Sequence, residues 1–557
     1  MSKRTIAIII GIIALIVVGT NAYGWVSAHR SMLLLTRDRS QPPATAVFVA
    51  KRAPAAISLL ANIDDLVSLN RLAIPSSQHR AASQVIKKWK QQLGDRLHLD
   101  YQREIAPWLG DEMTFAITDL NFISPRGSSL IDNRRPQNTP QPGYLAVLSS
   151  RNPQVSSQKI QAWWDKQVEA RRLEFESYQG VKIGYNDRHQ LASAIVGDRY
   201  ILFANHPKVL REAINNLQVS NLSILENPDY QQVLAANNHH KIGVGYARLP
   251  DLKGWLGKEA GEKYPVVGLN LGVDRQGLIA DMSLYPAPIA TSIDPTPISA
   301  PPKLVSTLKY LPRQSTMAIA GTDLSHWQQQ LIDILPELKP LTTVLDSSIA
   351  SIGKQIGIDL TQDIFNWTTG EYALAAIPNP DRNITDWVFI AERTQPERVD
   401  KSIAHFDELA GLAGYNVGLL PWNDKQAIGW TKLVTETTTN TTQLVAQVSG
   451  VHTTIADKYT ILASSVEAMD ITLKAIDKQS ILDSPRYHNA ANLLAATDTG
   501  YLYGNWQTIS DLLPKQLREN SLVKSVSDGI FSGLPNISVN SYTEAGIQRV
   551  SLLFQVE

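Results

Sequence analysis

Residues 197–214 read GDRYILFANHPKVLREAI, and residues 456–476 read ADKYTILASSVEAMDITLKAI. Each stretch is a small turn, a basic residue, a tyrosine, an apolar strand ending in Ala, and a helix start. The offset from 197 to 456 is 259, and the same offset aligns LDYQREIAPWLGDEMTFAI (99–117) with IDLTQDIFNWTTGEYALAA (358–376). Asp100 and Asp359, Ile105 and Ile364, Trp108 and Trp367, Glu112 and Glu371, and Ala116 and Ala375 are identical pairs. Residues 143–166 then face 386–409, residues 227–237 face 484–494, and both halves close on paired strand segments. An ordered internal repeat constrains the fold more than any other feature, because each copy must build the same structural unit. Each copy also has its own insertion: the polar loop SPRGSSLIDNRRPQNTPQPG (124–143) in the first, and the Thr-rich TKLVTETTTNTTQLVAQ (431–447) in the second.

At 557 residues the chain exceeds what one hydrophobic core serves. Between the copies lies the proline-rich YPAPIATSIDPTPISAPP, which suits an extended, semi-rigid spacer. The expected organisation is therefore a tip and anchor over 1–30, a first repeat over 31–284, a linker over 285–302 and a second repeat over 303–557. Within a half, strand-like segments such as TFAITDL, YLAVLSS, ASAIVG and RYILFAN alternate with amphipathic segments such as SSQKIQAWWDKQVEARR. Several strands follow one another through short turns. The fold class expected is α+β: two homologous tandem domains, each a mainly antiparallel sheet packed by helices, behind a single N-terminal transmembrane helix.

That last element rests on residues 5–28, TIAIIIGIIALIVVGTNAYGWVSA, which carry no charge. A helix of about 22 residues at ~1.5 Å per residue spans ~33 Å, enough for a bilayer core. Tyr23 and Trp25 stand where interfacial aromatics belong. Val26, Ser27 and Ala28 also fit a signal-peptidase site, so cleavage before His29 is the competing reading. Lys3 and Arg4 on one side are answered by Arg30, Arg37 and Arg39 on the other, and long following domains translocate largely regardless of such charges. A signal anchor with its body outside the cytoplasm is expected.

The twofold unit, the acidic-Ile-x-x-Trp-then-Glu pattern around Trp108 and Trp367, and the N-terminal apolar run together resemble the domain-of-unknown-function family 3352, found largely in cyanobacteria. The resemblance covers nearly all of the chain beyond the anchor. It implies a periplasmic or thylakoid-lumenal setting, with partners at the same membrane, photosynthetic complexes among them. It implies no reaction and brings no catalytic residues.

The chemistry legible in the residues is mostly exclusion. There is no cysteine, so disulfides, thiolate catalysis and thiolate metal sites are absent. Lys and Arg together number 52, as do Asp and Glu, which leaves no field favouring nucleic acid. None of the eleven histidines begins an HExxH, and no two stand at i, i+4. His239 and His240 are read as solvated loop residues. GVGYAR at Gly243 lacks the third glycine of a dinucleotide fingerprint and opens a strand, so a close backbone contact is expected there. Glu112 and Glu371, each four residues after a Trp, are the most suggestive carboxylates, yet neither has a second carboxylate nearby in sequence. Capping, turn fixing or an ion pair explains them more simply.

The helix HRAASQVIKKWKQQLGDR (79–96) sets Val85, Trp89 and Leu93 on one stripe, and Trp163 and Trp164 sit on another basic helix. Both are read as core stripes with solvated backs. In the opening pair, Asn205 or His206 before Pro207 in one copy, and Ser464 with Glu467 in the other, are helix-start signals. No catalytic, cofactor-binding or metal-ligating residue is assigned, and no cofactor. The expected function is a membrane-anchored, extracytoplasmic, non-catalytic binding, scaffold or assembly protein with protein partners at the membrane. A carrier of a lipid or pigment and an enzyme of unrecognised type are the alternatives.

Overall fold

The fold was analysed in a computed structural model that describes residues 41–62, 100–122, 141–169, 173–186, 191–236, 241–256, 261–274, 277–287, 305–326, 359–379, 384–422, 425–438, 441–485, 500–505 and 536–555, with Tyr487, His488, Ala490 and Leu494. They fall into two compact units, 41–287 and 305–555. The first unit contains β1 (Ala55–Leu59), β2 (Leu109–Phe122), β3 (Gln141–Ser150), β4 (Glu174–Tyr178), β5 (Val181–Asn186), β6 (Leu191–Val196), β7 (Tyr200–Ala204), β8 (Lys241–Arg248), β9 (Val266–Asp274) and β10 (Gly277–Tyr285). The second contains β11 (Met317–Thr322), β12 (Glu371–Asn379), β13 (Ile384–Glu392), β14 (Asn416–Trp422), β15 (Lys425–Thr438), β16 (Thr441–Ile455), β17 (Tyr459–Ala463), β18 (Gly500–Gly504), β19 (Asn536–Glu544) and β20 (Ile547–Gln555).

Within the first unit the strands lie side by side in the order β4-β5-β6-β7-β3-β2-β1-β8-β9-β10, every neighbouring pair antiparallel. Within the second the order is β14-β15-β16-β17-β13-β12-β11-β18-β19-β20, again antiparallel throughout. Strand for strand, these are the same order. The registers agree as well: Ala56 stands opposite Ala116 and Tyr246, and Ala318 opposite Ala375 and Tyr503. Antiparallel neighbours need only tight turns, which is why residues such as Gly197 and Asp198 (φ 55° and 52°) and Ala456 and Asp457 (φ 51° and 54°) occupy the left-handed region between β6 and β7 and between β16 and β17.

The helices are α1 (Pro153–Glu169), α2 (Pro207–Gln218), α3 (Pro228–Ala235), the single turns α4 (Lys253–Leu256) and α5 (Leu360–Asp363), α6 (Pro396–Leu412) and α7 (Val466–Lys474). The expected fold class is corrected here: strands dominate, and among the described residues only α1, α2 and α6 are longer than nine residues. The reason is plain in the second unit, where the β-branched run around 431–447, read as an insertion, belongs to the 14- and 15-residue strands β15 and β16. No helix among the described residues is long and apolar enough to cross a membrane. The run at residues 5–28 lies outside them, as do the helix expected at 79–96, most of the linker, and His239 and His240.

Each unit fills its own core. Trp108, Trp163 and Trp164 pack with Ile105, Ile201 and Phe203 in the first, so the paired tryptophans of α1 are buried. In the second, Val388, Ile390, Ile461, Met469 and Tyr501 belong to one buried cluster.

Candidate functional site

The residues repeated between the copies are the first candidates, and their geometry assigns them to folding. Asp100 accepts from the backbone N–H groups of Gln102 (2.9 Å) and Arg103 (3.1 Å), and Asp359 from those of Thr361 (3.0 Å) and Gln362 (3.1 Å). Four residues on, Glu104 and Asp363 accept the backbone N–H of Asp100 and Asp359 at 2.7 and 2.8 Å, closing a reciprocal cap in each unit. The indole N–H groups of Trp108 and Trp367 each donate to the carbonyl of that acidic residue at 2.5 Å.

Glu112 and Glu371 perform a parallel task across a long sequence distance. Glu112 accepts the backbone N–H of Ala44 at 2.8 Å, at the start of the 3-10 helix Ala44–Phe48. Glu371 accepts the backbone N–H of Ser306 at 2.7 Å and its hydroxyl at 3.2 Å, at the start of the 3-10 helix Ser306–Tyr310. A carboxylate at a helix N-terminus satisfies orphan donors and complements the dipole. The last aromatic positions of those helices meet the repeated tyrosines: Phe48 lies 5.1 Å from Tyr200 and Tyr310 lies 5.2 Å from Tyr459, ring centre to ring centre.

At the strand-to-helix joint the copies use different chemistry for one shape. Asn205 accepts the backbone N–H of Tyr144 (2.8 Å) and donates to the carbonyl of Pro142 (2.8 Å), while His206 caps α2 through the N–H of Lys208 (3.1 Å). In the second unit Ser464 accepts the backbone N–H of Trp387 (2.8 Å) and donates to Asp386 (2.9 Å). The cap of α7 is Ser465, not Ser464 as the capping-box spacing implied. It accepts from the N–H of Ala468 (3.0 Å) and donates to Asp386 (2.8 Å). Asp386 is buried and also receives Asn379 (2.8 Å), which compensates for its desolvation. Gly143 stands at its place in the first unit, where a Cβ would meet Thr118 at 2.5 Å. Sequence reading could not find Asp386, because its partners lie up to 79 residues away.

Gly243 lies inside β8, where a Cβ would approach Leu271 at 3.0 Å and the Ser58 carbonyl at 3.3 Å. This close strand packing accounts for the glycine without a phosphate. In the second unit, Asp407 of α6 accepts from the indole of Trp430 (2.7 Å) and bonds His452 (3.0 Å), a link between helix and sheet. Among the described residues no group of three or more His, Cys, Asp or Glu side chains could hold a metal ion.

One concavity of the first unit has the form of a binding site. A cleft of about 560 Å³ is lined by Lys51, Arg52, Glu212, Asn227, Tyr246 and Arg248, among others. Asn227 at the start of α3 ties it together, donating to the Lys51 carbonyl (2.7 Å) while its oxygen accepts from Asp229 and Tyr230 (2.9 and 3.2 Å). Burial, with the charge of Asp229 added, pushes the Tyr246 phenol up to about 12, so it stays a neutral donor at ordinary pH. Charges of both signs line the walls, with Arg52 3.9 Å from Glu212 and Arg248 3.4 Å from Asp251. In the second unit Gln314 and Asn505 take the places of Arg52 and Arg248, while Arg313 keeps the charge of Lys51, so the two arginines set the first unit apart.

The chain belongs to the family described as Protein of unknown function (DUF3352), whose model matches residues 8–556. No curated protein matches it. Among solved structures, crystal form III of TP0453 is similar over 45% of this chain and 83% of that one, at 9% identity and a TM-score of 0.25. Crystal form I of the same protein covers 45% and 82%, at 9% identity and 0.24. Likeness at that level carries no inference.

Proposed function

We propose that this member of the DUF3352 family is a non-catalytic binding or assembly protein, held at a membrane through the uncharged run at residues 5–28, with its two sheet units outside the cytoplasm. The observation that carries this reading is what the repeated residues do. Asp100 and Asp359, Trp108 and Trp367, Glu112 and Glu371 are all engaged in capping and bracing their own unit. What the copies share is a scaffold, and function falls to what they do not share. In the first unit that is the cleft, whose amides and mixed charges suit a polar segment of a partner protein.

The full chain, tagged and kept at native abundance, is to be recovered from membranes in mild detergent. A partner at fixed ratio is expected, and the double variant R52E/R248E should lower its recovery about tenfold, as charge reversal at an interface does. Arg52 is 77% exposed and Arg248 49%, so the change leaves the core intact. Recovery of the protein alone, or a partner indifferent to the double variant, overturns the reading.

A further inference from the structure

Strands β15 and β16 outrun their neighbours. β14 pairs with β15 no further than Asn416 opposite Thr431, and β17 pairs with β16 only from Val451 to Ile455. Beyond those points Lys432–Thr438 pair with Thr441–Gln447 as a two-stranded ribbon, with no third strand on either edge among the described residues. Among the described residues the first unit has no counterpart, since the pairing of β5 with β6 runs there only to Asn186 opposite Leu191.

The ribbon's free edge carries two charges, Lys432 and Glu436, and no other usual guard. Residues 432–438 contain no proline, and the one irregularity in the ladder lies at the base, between Trp430 and Thr431. One face of the ribbon continues the core face of the sheet: from buried Ala427 and Val451 it runs out to Leu433, opposite Ala446, and to Leu444, opposite Thr435. Leu433 is 67% exposed and Leu444 70%.

The free edge of β15 is complementary to itself. Thr438 pairs with Thr441 at the closed end, so the alternation of an antiparallel ladder turns the backbone groups of 433, 435 and 437 outward. Two copies meeting antiparallel about a twofold axis at Val434 place 433 opposite 435 of the partner subunit, with outward groups facing one another. The same register sets Lys432 opposite Glu436 of the partner subunit, twice over. It also joins the leucine faces of the two ribbons into one cross-strand patch. We propose that the edge of β15 from Lys432 to Glu436 is a self-association surface, at which a second copy of this chain pairs to form a four-stranded, twofold-symmetric ribbon.

The absence of cysteine makes the test direct, because a single introduced cysteine can only bridge to another molecule. In the proposed register residue 434 faces itself in a non-bonded pair, with Cα atoms about 4.5 Å apart, inside the range a disulfide accepts. Residue 445 lies opposite 434 on the outer strand, so its two copies are separated by roughly 14 Å. The full-length V434C variant in native membranes, treated with a mild oxidant, is expected to run as a covalent dimer, and V445C as a monomer. Adding K432E or E436K alone to V434C should lower the cross-linked fraction about tenfold, and adding both should restore it, since like charges directly opposite repel and exchanged ones attract. The proposal is overturned by a monomeric V434C, by equal cross-linking of V445C, or by failure of the double exchange to restore the dimer. A monomeric V434C whose attached fluorophore is quenched by lipid-borne quenchers would assign the ribbon to the bilayer surface instead.

Discussion

Removing the repeated carboxylates one at a time tests whether Glu112 and Glu371 cap helices or do something else. Glu371 holds two donors of Ser306 and Glu112 one donor of Ala44. A hydrogen bond to a charged group contributes about 1.5–3 kcal/mol, and a carboxylate at a helix N-terminus about 0.3–1 kcal/mol. Both sites are only partly buried, so water replaces some of each bond and the lower ends apply. E112A should then cost about 1.5 kcal/mol and E371A, with two such bonds, about 3 kcal/mol. E112Q and E371Q keep an acceptor oxygen and should lose about half as much. Urea unfolding followed by tryptophan fluorescence reads this, since each unit buries tryptophans of its own, Trp108 and Trp163 in the first and Trp367 in the second. With a slope near 3 kcal/mol per molar for units of this size, the alanine variants should move the midpoint by about 0.5–1 M. Midpoints unchanged in both alanine variants would refute the capping assignment and return these carboxylates to the list of groups awaiting a chemical role.

Three further outcomes are expected. Ala456 holds a left-handed conformation where Gly197 stands in the other copy, so A456G should stabilise the second unit by about 0.5–1 kcal/mol and G197A destabilise the first by a similar amount, read as shifts in the same unfolding curves. D386A should cost the second unit about 3 kcal/mol, since it strands donors from Asn379, Ser464 and Ser465, and a loss under 1 kcal/mol would contradict the buried network. Burial lifts the phenols of Tyr246, Tyr372 and Tyr487 from 10.0 to about 12, Asp229 adding to the first and Asp323 to the second. Folding favours their protonated forms, so this contribution is complete below pH 10 and lost as pH rises toward 12. Melting temperature should hold to about pH 10 and fall above it, and phenolate absorbance should rise together with unfolding.

The sequence by itself determined the repeat, and with it the local signals that recur in both copies. Pro207 in the first turn of α2 and the turns at 197–198 and 456–457 depend only on near neighbours, so their roles were legible from spacing, whereas Asp100 and Asp359 stood out only as a repeated pair until their caps were seen. The burial of Trp163 and Trp164 was likewise readable from their place on an amphipathic segment. The balance of strand over helix was not, because short apolar runs have the same appearance in either state until a neighbouring strand supplies hydrogen bonds. Strand order was invisible for the same reason: β1 pairs with β8, and β13 with β17, across long stretches of chain. The donors that Glu112 and Glu371 serve lie 68 and 65 residues away, and no local pattern encodes them. The cleft at Asn227 and the bare ribbon of β15 and β16 belong to the same class. Helix starts and turns are fixed by the backbone groups of a few consecutive residues, whereas ladders, clefts and open edges exist only once distant segments have paired, and that only the tertiary structure decided.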